Sequence, residues 1–125
     1  MNHIKVNHFV KSVDRFKEVL LENKTDIIRD SAIKRYETCY ELAWRSVQEL
    51  LKNEGLGICN SPKNCFKSAF NLGLIENEII FSNMVQNRNL TTHTYDELLA
   101  NKIYQQFNDY YEVLSTLAQR IRGRG

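Results

Sequence analysis

The sequence contains few residues that break helices or build a covalent framework. A single proline and five glycines in 125 residues leave room for long helices and few turns. The cysteines are odd in number and include no Cys-x-x-Cys pair, so we expect no disulfide framework; they are Cys39, Cys59 and Cys65. This composition favours a fold that depends on an apolar core and a protein that works in a reducing cytoplasm.

Long apolar runs and a strong charge of one sign are also lacking. No apolar stretch approaches the length of a membrane span, and the amino terminus lacks the apolar centre of a secretion signal. With a net charge of +2, the surface is not basic enough to contact phosphates over a wide area, so any contact with RNA must be local. His3 and His8 lack suitably spaced partners for a metal ion. We therefore expect a cytoplasmic protein with no membrane contact, metal or cofactor.

Apolar residues recur at steps of three and four along most of the chain, which indicates amphipathic helices. Predicted helices cover residues 8–24, 26–53, 62–73, 76–88 and a last long segment that begins after the capping residue Asp96. We expect an all-α, up-and-down antiparallel bundle of four or five helices. Residues 1–125 should form one domain with its core at about 8–118 and a flexible basic tail at 120–125.

Aromatic residues at helical spacing are assigned to the core rather than to ligand binding. Trp44 could stack on a base, but a lone tryptophan on a long helix more commonly packs inside. Phe66, Ala69 and Phe70 are predicted to face the core from the third helix. The aromatic residues thus indicate packing, and the functional site must be sought elsewhere.

An arginine, a histidine and a tyrosine fall around one predicted polar turn. Arg88 continues the apolar face of Ile80 and Met84, so its cation must meet an anion, a partner chain or a cleft. His93 and Tyr95 follow within the turn. An imidazole can move protons to or from a ribose oxygen near neutral pH, and a guanidinium can clamp a phosphate. The spacing alone is more typical of a polar helix end with a capping histidine than of a catalytic site.

The segment Arg88-Asn89-x3-His93-x-Tyr95 resembles the signature of HEPN-domain toxins from HEPN/MNT toxin–antitoxin pairs. Further stretches are similar to the nucleotidyltransferase substrate-binding protein family, and together they cover about residues 8–118. They are Ser31 to Glu37, Tyr40 to Trp44, Ser61-Pro62, Ala69 to Ile75, and Asn87 to Asp96.

The resemblance implies both a fold and a function. The fold is a HEPN-like helical bundle that forms a homodimer or higher even oligomer, with the Arg/His sites near the dimer groove. Arg88 and His93 would be catalytic in metal-independent RNA cleavage and Asn89 would support them. Tyr95 would accept a nucleotide from a cognate MNT-type nucleotidyltransferase that neutralises the toxin.

Two other interpretations stay open. The chain could be a non-catalytic subunit that presents substrate to a nucleotidyltransferase, with the Arg/His/Tyr groove as a docking surface. It could also be a helical oligomerisation module that binds no ligand. Whether the isolated chain cleaves RNA separates the first of these from the toxin.

Overall fold

The computed structural model describes residues 4–124, which fold into α-helices and one short 3-10 turn without any strand. The helices are α1 (Ile4–Leu20), α2 (Asp26–Glu54), α3 (Pro62–Asn71), α4 (Glu78–Leu90), α5 (Glu97–Gln105) and α6 (Phe107–Arg124), and the 3-10 turn (Thr91–His93) joins α4 to α5. The predicted all-α fold is confirmed. Within residues 4–124, no helix combines the length and apolar character that a membrane span requires.

The first two helices pack antiparallel against each other. The Cys39 thiol donates to the backbone oxygen of Ser12 at 2.9 Å, and Lys5 Nζ lies 3.9 Å from Glu49 Oε2. Positions late in α2 therefore meet positions early in α1. Because the connection between these helices is short, antiparallel packing is the arrangement that lets both bury their apolar stripes.

The last helix runs antiparallel to α4. Asn87 Nδ2 donates to the Tyr110 hydroxyl at 2.5 Å, and Arg120 Nη2 lies 2.6 Å from Glu76 Oε1, just before α4 begins. Helices α1 and α2 thus form one antiparallel pair and α4 and α6 form another, as in an up-and-down bundle. Helices α3 and α5 are short connections at the sides of this bundle.

Helix α2 is the central element, because it packs against every other α-helix. An aromatic cluster joins it to α1 and α6: Tyr36 stacks on Phe107 and Tyr110, and Phe16 meets Phe107 edge-on. Aromatic rings bury large apolar areas, so this cluster supplies much of the core's stabilisation. Trp44 is buried, in agreement with its assignment to the core.

Side-chain caps start most of the helices at the positions that the sequence indicates. The side-chain oxygen of each capping residue accepts a hydrogen bond from the backbone nitrogen three residues later. The caps are Thr25 for α2, Ser61 for α3, Asn77 for α4 and Asp96 for α5. The left-handed Gly55, with φ 66°, ends α2. Local chemistry therefore sets these boundaries.

The third helix presents a narrower apolar face than predicted. Phe66 and Ala69 are buried, whereas Phe70 is 39% exposed. Its placement in the core was therefore wrong. Phe70 lies one residue beyond Ala69, and consecutive helical residues point about 100° apart.

The predicted last helix is divided in two at Gln106, a break that the sequence pattern did not indicate. No proline or glycine stands there. The two halves have different packing partners: α5 packs on α2, where buried Arg29 donates to Asn101 at 3.3 Å, while α6 packs on both α1 and α2. Tertiary packing rather than local propensity therefore sets this break.

The basic tail is helical rather than flexible across residues 120–124, so that prediction was also wrong. Arg124 Nη2 lies 2.5 Å from Glu54 Oε1, and Arg120 also donates to the Leu74 oxygen at 3.2 Å. These contacts hold the last turns of α6 against distant elements. The core correspondingly extends from Val6 to Ile121, wider than the predicted 8–118. Residues 1–3 and 125 lie outside the described part of the predicted domain.

A disulfide joins Cys59 and Cys65, whose Cα atoms are 5.1 Å apart, contrary to the prediction. The lack of a Cys-x-x-Cys pair was a poor guide, because a loop can fold back onto a following helix at a longer spacing. Gln48 Nε2 donates to the Cys59 oxygen at 2.8 Å and fixes this loop on α2. The remaining cysteine, Cys39, is buried and free.

The buried Tyr36 hydroxyl predicts a pH dependence of stability. Burial raises the pKa of Tyr36 far above its ordinary value of 10.0. Above about pH 10, Tyr36 ionises in the unfolded chain but stays neutral in the folded one. The free energy of unfolding therefore falls as pH rises. Urea titrations between about pH 9 and pH 11 should show that the free energy of unfolding falls less steeply with pH in Tyr36→Phe than in the native chain. The two slopes should differ by up to about 1.4 kcal/mol per pH unit. Identical slopes for Tyr36→Phe and the native chain would contradict this.

Candidate active site

The end of α4 is anchored to α2 by a buried hydrogen bond. The Tyr36 hydroxyl donates to the Met84 backbone oxygen at 2.7 Å, and both residues are fully buried. Arg88 follows one helical turn after Met84, so it is presented to the same face of α2. The predicted extension of the apolar face into a guanidinium is therefore what the structure contains.

The Arg88 guanidinium is held by one of its three nitrogens. Nη1 lies 3.1 Å from Glu37 Oε2 and donates to Thr91 Oγ1 at 3.0 Å. A guanidinium carries five N–H donors, and those on Nε and Nη2 have no protein partner among residues 4–124. The Arg88 side chain is 33% exposed. The arginine is thus fixed in position while keeping a free edge.

Thr91 links Arg88 to the carboxylate of Glu37. This residue is 6% exposed, and its hydroxyl lies 2.7 Å from the Arg88 oxygen and 3.1 Å from Glu37 Oε2. A hydroxyl has one proton, so it donates to one of these oxygens while accepting from Arg88 Nη1. Arg88, Thr91 and Glu37, here called the arginine cluster, form a closed polar network between α2 and the 3-10 turn.

Buried phenols next to the arginine cluster remain neutral. Burial raises the pKa of Tyr40 to about 12, against the opposing effect of the Arg88 cation. Burial likewise raises the pKa of Tyr36. Glu37 is therefore the anion that balances Arg88, because neither phenol supplies a negative charge near neutral pH.

His93 and Tyr95 form a second pair on the surface. His93 Nδ1 and the Tyr95 hydroxyl are 3.1 Å apart, and the two rings meet edge-on with centroids 5.8 Å apart. Which atom donates depends on the imidazole tautomer. Tyr95 is 81% exposed, and His93 is exposed too, with Nε2 facing no protein partner among the residues described. A partner protein or substrate can therefore reach both residues.

The predicted site residues lie in one segment, from the end of α4 to just beyond the 3-10 turn, but divide into separate groups. No hydrogen bond joins the arginine cluster to the His93–Tyr95 pair in the described part of the chain. Asn89 is exposed on α4, and its backbone oxygen accepts from the Thr92 hydroxyl at 3.4 Å.

Sequence reasoning missed Glu37 and Thr91. The need of Arg88 for an anion was evident, but several carboxylates could have met it. Only the packing of α4 on α2 selects Glu37. Together with Lys34, Glu41 and Arg88, Glu37 lines an open cleft of about 410 Å³. Within residues 4–124, no group of three or more histidine, cysteine or acidic side chains could hold a metal ion.

Residues 4–123 match the nucleotidyltransferase substrate-binding protein-like family. The chain is 27% identical over 103 residues to a probable ribonuclease HepT of Haemophilus influenzae, covering 79% of this chain and 70% of that protein.

Two solved structures share the fold. A crystal structure of a Thermus thermophilus protein has a TM-score of 0.85 and 32% identity, covering 91% of this chain and 98% of the other. A tri-AMPylated Shewanella oneidensis HEPN toxin in complex with MNT antitoxin has a TM-score of 0.77, with 98% and 99% covered. At 21% identity, the second match shows the fold alone.

The arginine cluster predicts a measurable coupling between Arg88 and Glu37. In a double-mutant cycle of Arg88→Met and Glu37→Gln, we expect a coupling energy of about 1 kcal/mol, because both side chains are partly shielded from water. The Arg45–Glu41 pair lies on the exposed surface of α2 and serves as the control, with a smaller coupling expected. Urea denaturation of the four chains in each cycle measures both values. Equal coupling in the two pairs would contradict the special placement of Arg88.

Proposed function

This chain belongs to the nucleotidyltransferase substrate-binding protein-like family, and we propose that it is a HEPN-type toxin that cleaves RNA without a metal ion. A partner MNT-type nucleotidyltransferase neutralises it. The observation that carries this proposal is the fixed Arg88 with its free guanidinium edge, three residues before a 3-10 turn that ends at the exposed His93. The name of one relative, a probable ribonuclease, supports the same function, and the fold is shared with a HEPN toxin.

Arg88 binds the scissile phosphate in this mechanism. Glu37 and Thr91 hold Nη1 in place, so Nε and Nη2 can make the paired hydrogen bonds that a phosphate accepts. The cation offsets the charge that develops on the phosphate oxygens in the transition state. Since the side chain is already ordered, little of its conformational freedom is lost on binding.

His93 transfers protons during cleavage. The ribose 2′-hydroxyl attacks the neighbouring phosphorus and gives up its proton, the bond to the 5′-oxygen breaks, and that oxygen takes up a proton. The products are a 2′,3′-cyclic phosphate and a 5′-hydroxyl. With Nδ1 engaged by Tyr95, the exposed Nε2 is the atom that exchanges protons with the substrate. Asn89, exposed beside Arg88, assists in holding the strand.

We propose a homodimer as the working assembly. One imidazole accepts a proton and a second can donate one, so two copies of the site facing a common groove supply a base and an acid. The partly exposed Arg88 also suits a shared polar groove. Light scattering that gives only the monomer mass at micromolar concentration would contradict this assembly.

Tyr95 is the acceptor for the nucleotide that silences the toxin. Its hydroxyl is exposed and lies beside an imidazole that can take its proton when a nucleotidyl group is attached. A nucleotide on this oxygen would stand against His93 and block access of RNA. Modification and inhibition thus follow from one contact.

Replacing His93 with alanine should lower RNA cleavage about 10²–10⁴-fold, because the proton-transfer group is removed. His8→Ala is the matched control, since His8 is exposed on α1 away from the site, and it should cleave at the native rate. Cleavage is followed on a labelled single-stranded RNA, with 2′,3′-cyclic phosphate ends identified by mass spectrometry.

The same assay tests the role of Arg88. Arg88→Ala should lose a comparable amount of activity, and Arg88→Lys should not fully restore it, because lysine cannot make the paired contact. A chelator should not inhibit, and DNA should resist because it lacks the 2′-hydroxyl. Native rates in His93→Ala would show that the catalytic assignment is wrong. A pure chain that never cleaves RNA would favour the non-catalytic substrate-binding subunit instead.

Coexpression with the cognate nucleotidyltransferase should add mass to the chain in whole nucleotide units. Tyr95→Phe should abolish this addition, because the acceptor oxygen is gone. Tyr104→Phe is the control, being only partly exposed on α5, and should be modified normally. Unchanged modification of Tyr95→Phe, measured by intact-protein mass spectrometry, would place the acceptor on another residue.

A further inference from the structure

A second cleft lies where α4 faces α5 and α6, apart from the cleft that Arg88 lines. Its volume is about 390 Å³, within the range of roughly 300–1,000 Å³ that is usual for small-molecule sites. Four carboxamide side chains line it: Asn83, Gln86, Asn87 and Gln106. Lys102 and the Tyr110 hydroxyl complete the polar part of its lining. We call it the carboxamide cleft.

Most of these polar groups are available for a ligand. Asn87 uses its Nδ2 to donate to the Tyr110 hydroxyl at 2.5 Å, which leaves its amide oxygen free to accept. Asn83, Gln86 and Gln106 are exposed, and their side chains have no hydrogen-bond partner among residues 4–124. The protein thus gathers several carboxamides without a protein partner in one concave place.

The chemistry of this lining matches a nucleobase. A carboxamide carries a donor and an acceptor side by side, which is the complement of the N6 and N7 edge of adenine. Leu90 and Leu99 add apolar surface for the face of a base. Lys102 brings a positive charge that suits a neighbouring phosphate. Bases of single-stranded RNA are read in this way, by their edges and faces together.

We propose that the carboxamide cleft binds an adenine base of the RNA strand whose phosphate lies at Arg88. This inference rests on the proposed function, because it adds a base-binding cleft beside the proposed phosphate site at Arg88. Asn87 and Arg88 are consecutive on α4 and point about 100° apart, so one helix end contacts a base on one side and a phosphate on the other. Asn83, Gln86 and Gln106 read the base edge, and Lys102 contacts the backbone.

Binding of an RNA that cannot be cleaved tests the cleft independently of catalysis. A short 2′-O-methyl oligoadenylate with a fluorescent label is titrated with the native chain, and anisotropy gives Kd. Gln86→Leu and Gln106→Leu should each raise Kd about five- to a hundredfold, the usual range for losing a paired contact to a base edge. Gln105→Leu is the matched control, since Gln105 is exposed next to Gln106 but does not line the cleft, and its Kd should stay native.

Further titrations distinguish the sources of the adenine. A 2′-O-methyl oligouridylate should bind the native chain more weakly than the oligoadenylate, and free AMP should bind more weakly still. In nuclear magnetic resonance spectra, the side-chain amide signals of Asn83 and Gln86 should shift when the oligoadenylate is added.

Three results would overturn the proposal. They are equal Kd values for the two oligonucleotides, a Gln105→Leu variant as impaired as Gln106→Leu, and AMP binding as tightly as the oligoadenylate in a manner that Gln86→Leu abolishes. The last would assign the cleft to a mononucleotide. Base-specific binding without cleavage would refute only the catalytic proposal, so the two failures are distinguishable.

Discussion

The packing of α4 on the central helix α2 is the constraint on which the rest of the site depends. One buried hydrogen bond, from the Tyr36 hydroxyl to the Met84 oxygen, fixes this contact, and the Arg88–Glu37 ion pair continues it toward solvent. The aromatic cluster behind Tyr36 ties the same surface to α1 and α6. The core therefore sets the position of the polar turn that follows α4.

The ion pair between Arg88 and Glu37 solves a problem of charge as well as of position. A guanidinium at the end of an apolar face would be costly without an anion, and the neighbouring phenols stay neutral. Because Glu37 and Thr91 engage only Nη1, the cation is compensated and still able to bind. The segment after α4 leaves His93 and Tyr95 in solvent, where the proposed substrate and the proposed modifying partner would compete for them.

Much of the architecture could be predicted from the sequence, because it depends on neighbours along the chain. Capping by Ser61 and Asp96 needs only the backbone three residues later, so these helix starts were evident. Residues Arg88, His93 and Tyr95 lie within one short segment, and the structure places them at the end of α4, in the 3-10 turn and just after it. The amphipathic stripes likewise defined the all-α fold, since each needs only its own period.

The remaining features were decided by the tertiary structure, since their partners come from distant parts of the chain. Glu37 was one of several acidic residues until α4 packed on α2, and the break at Gln106 follows from the different packing of α5 and α6. Arg124 is held by Glu54, and the loop after α2 brings Cys59 to Cys65. Sequence by itself determined where helices form and which chemical groups stand together at a turn. Only folding decided which of them meet across helices, because those distances depend on the whole core.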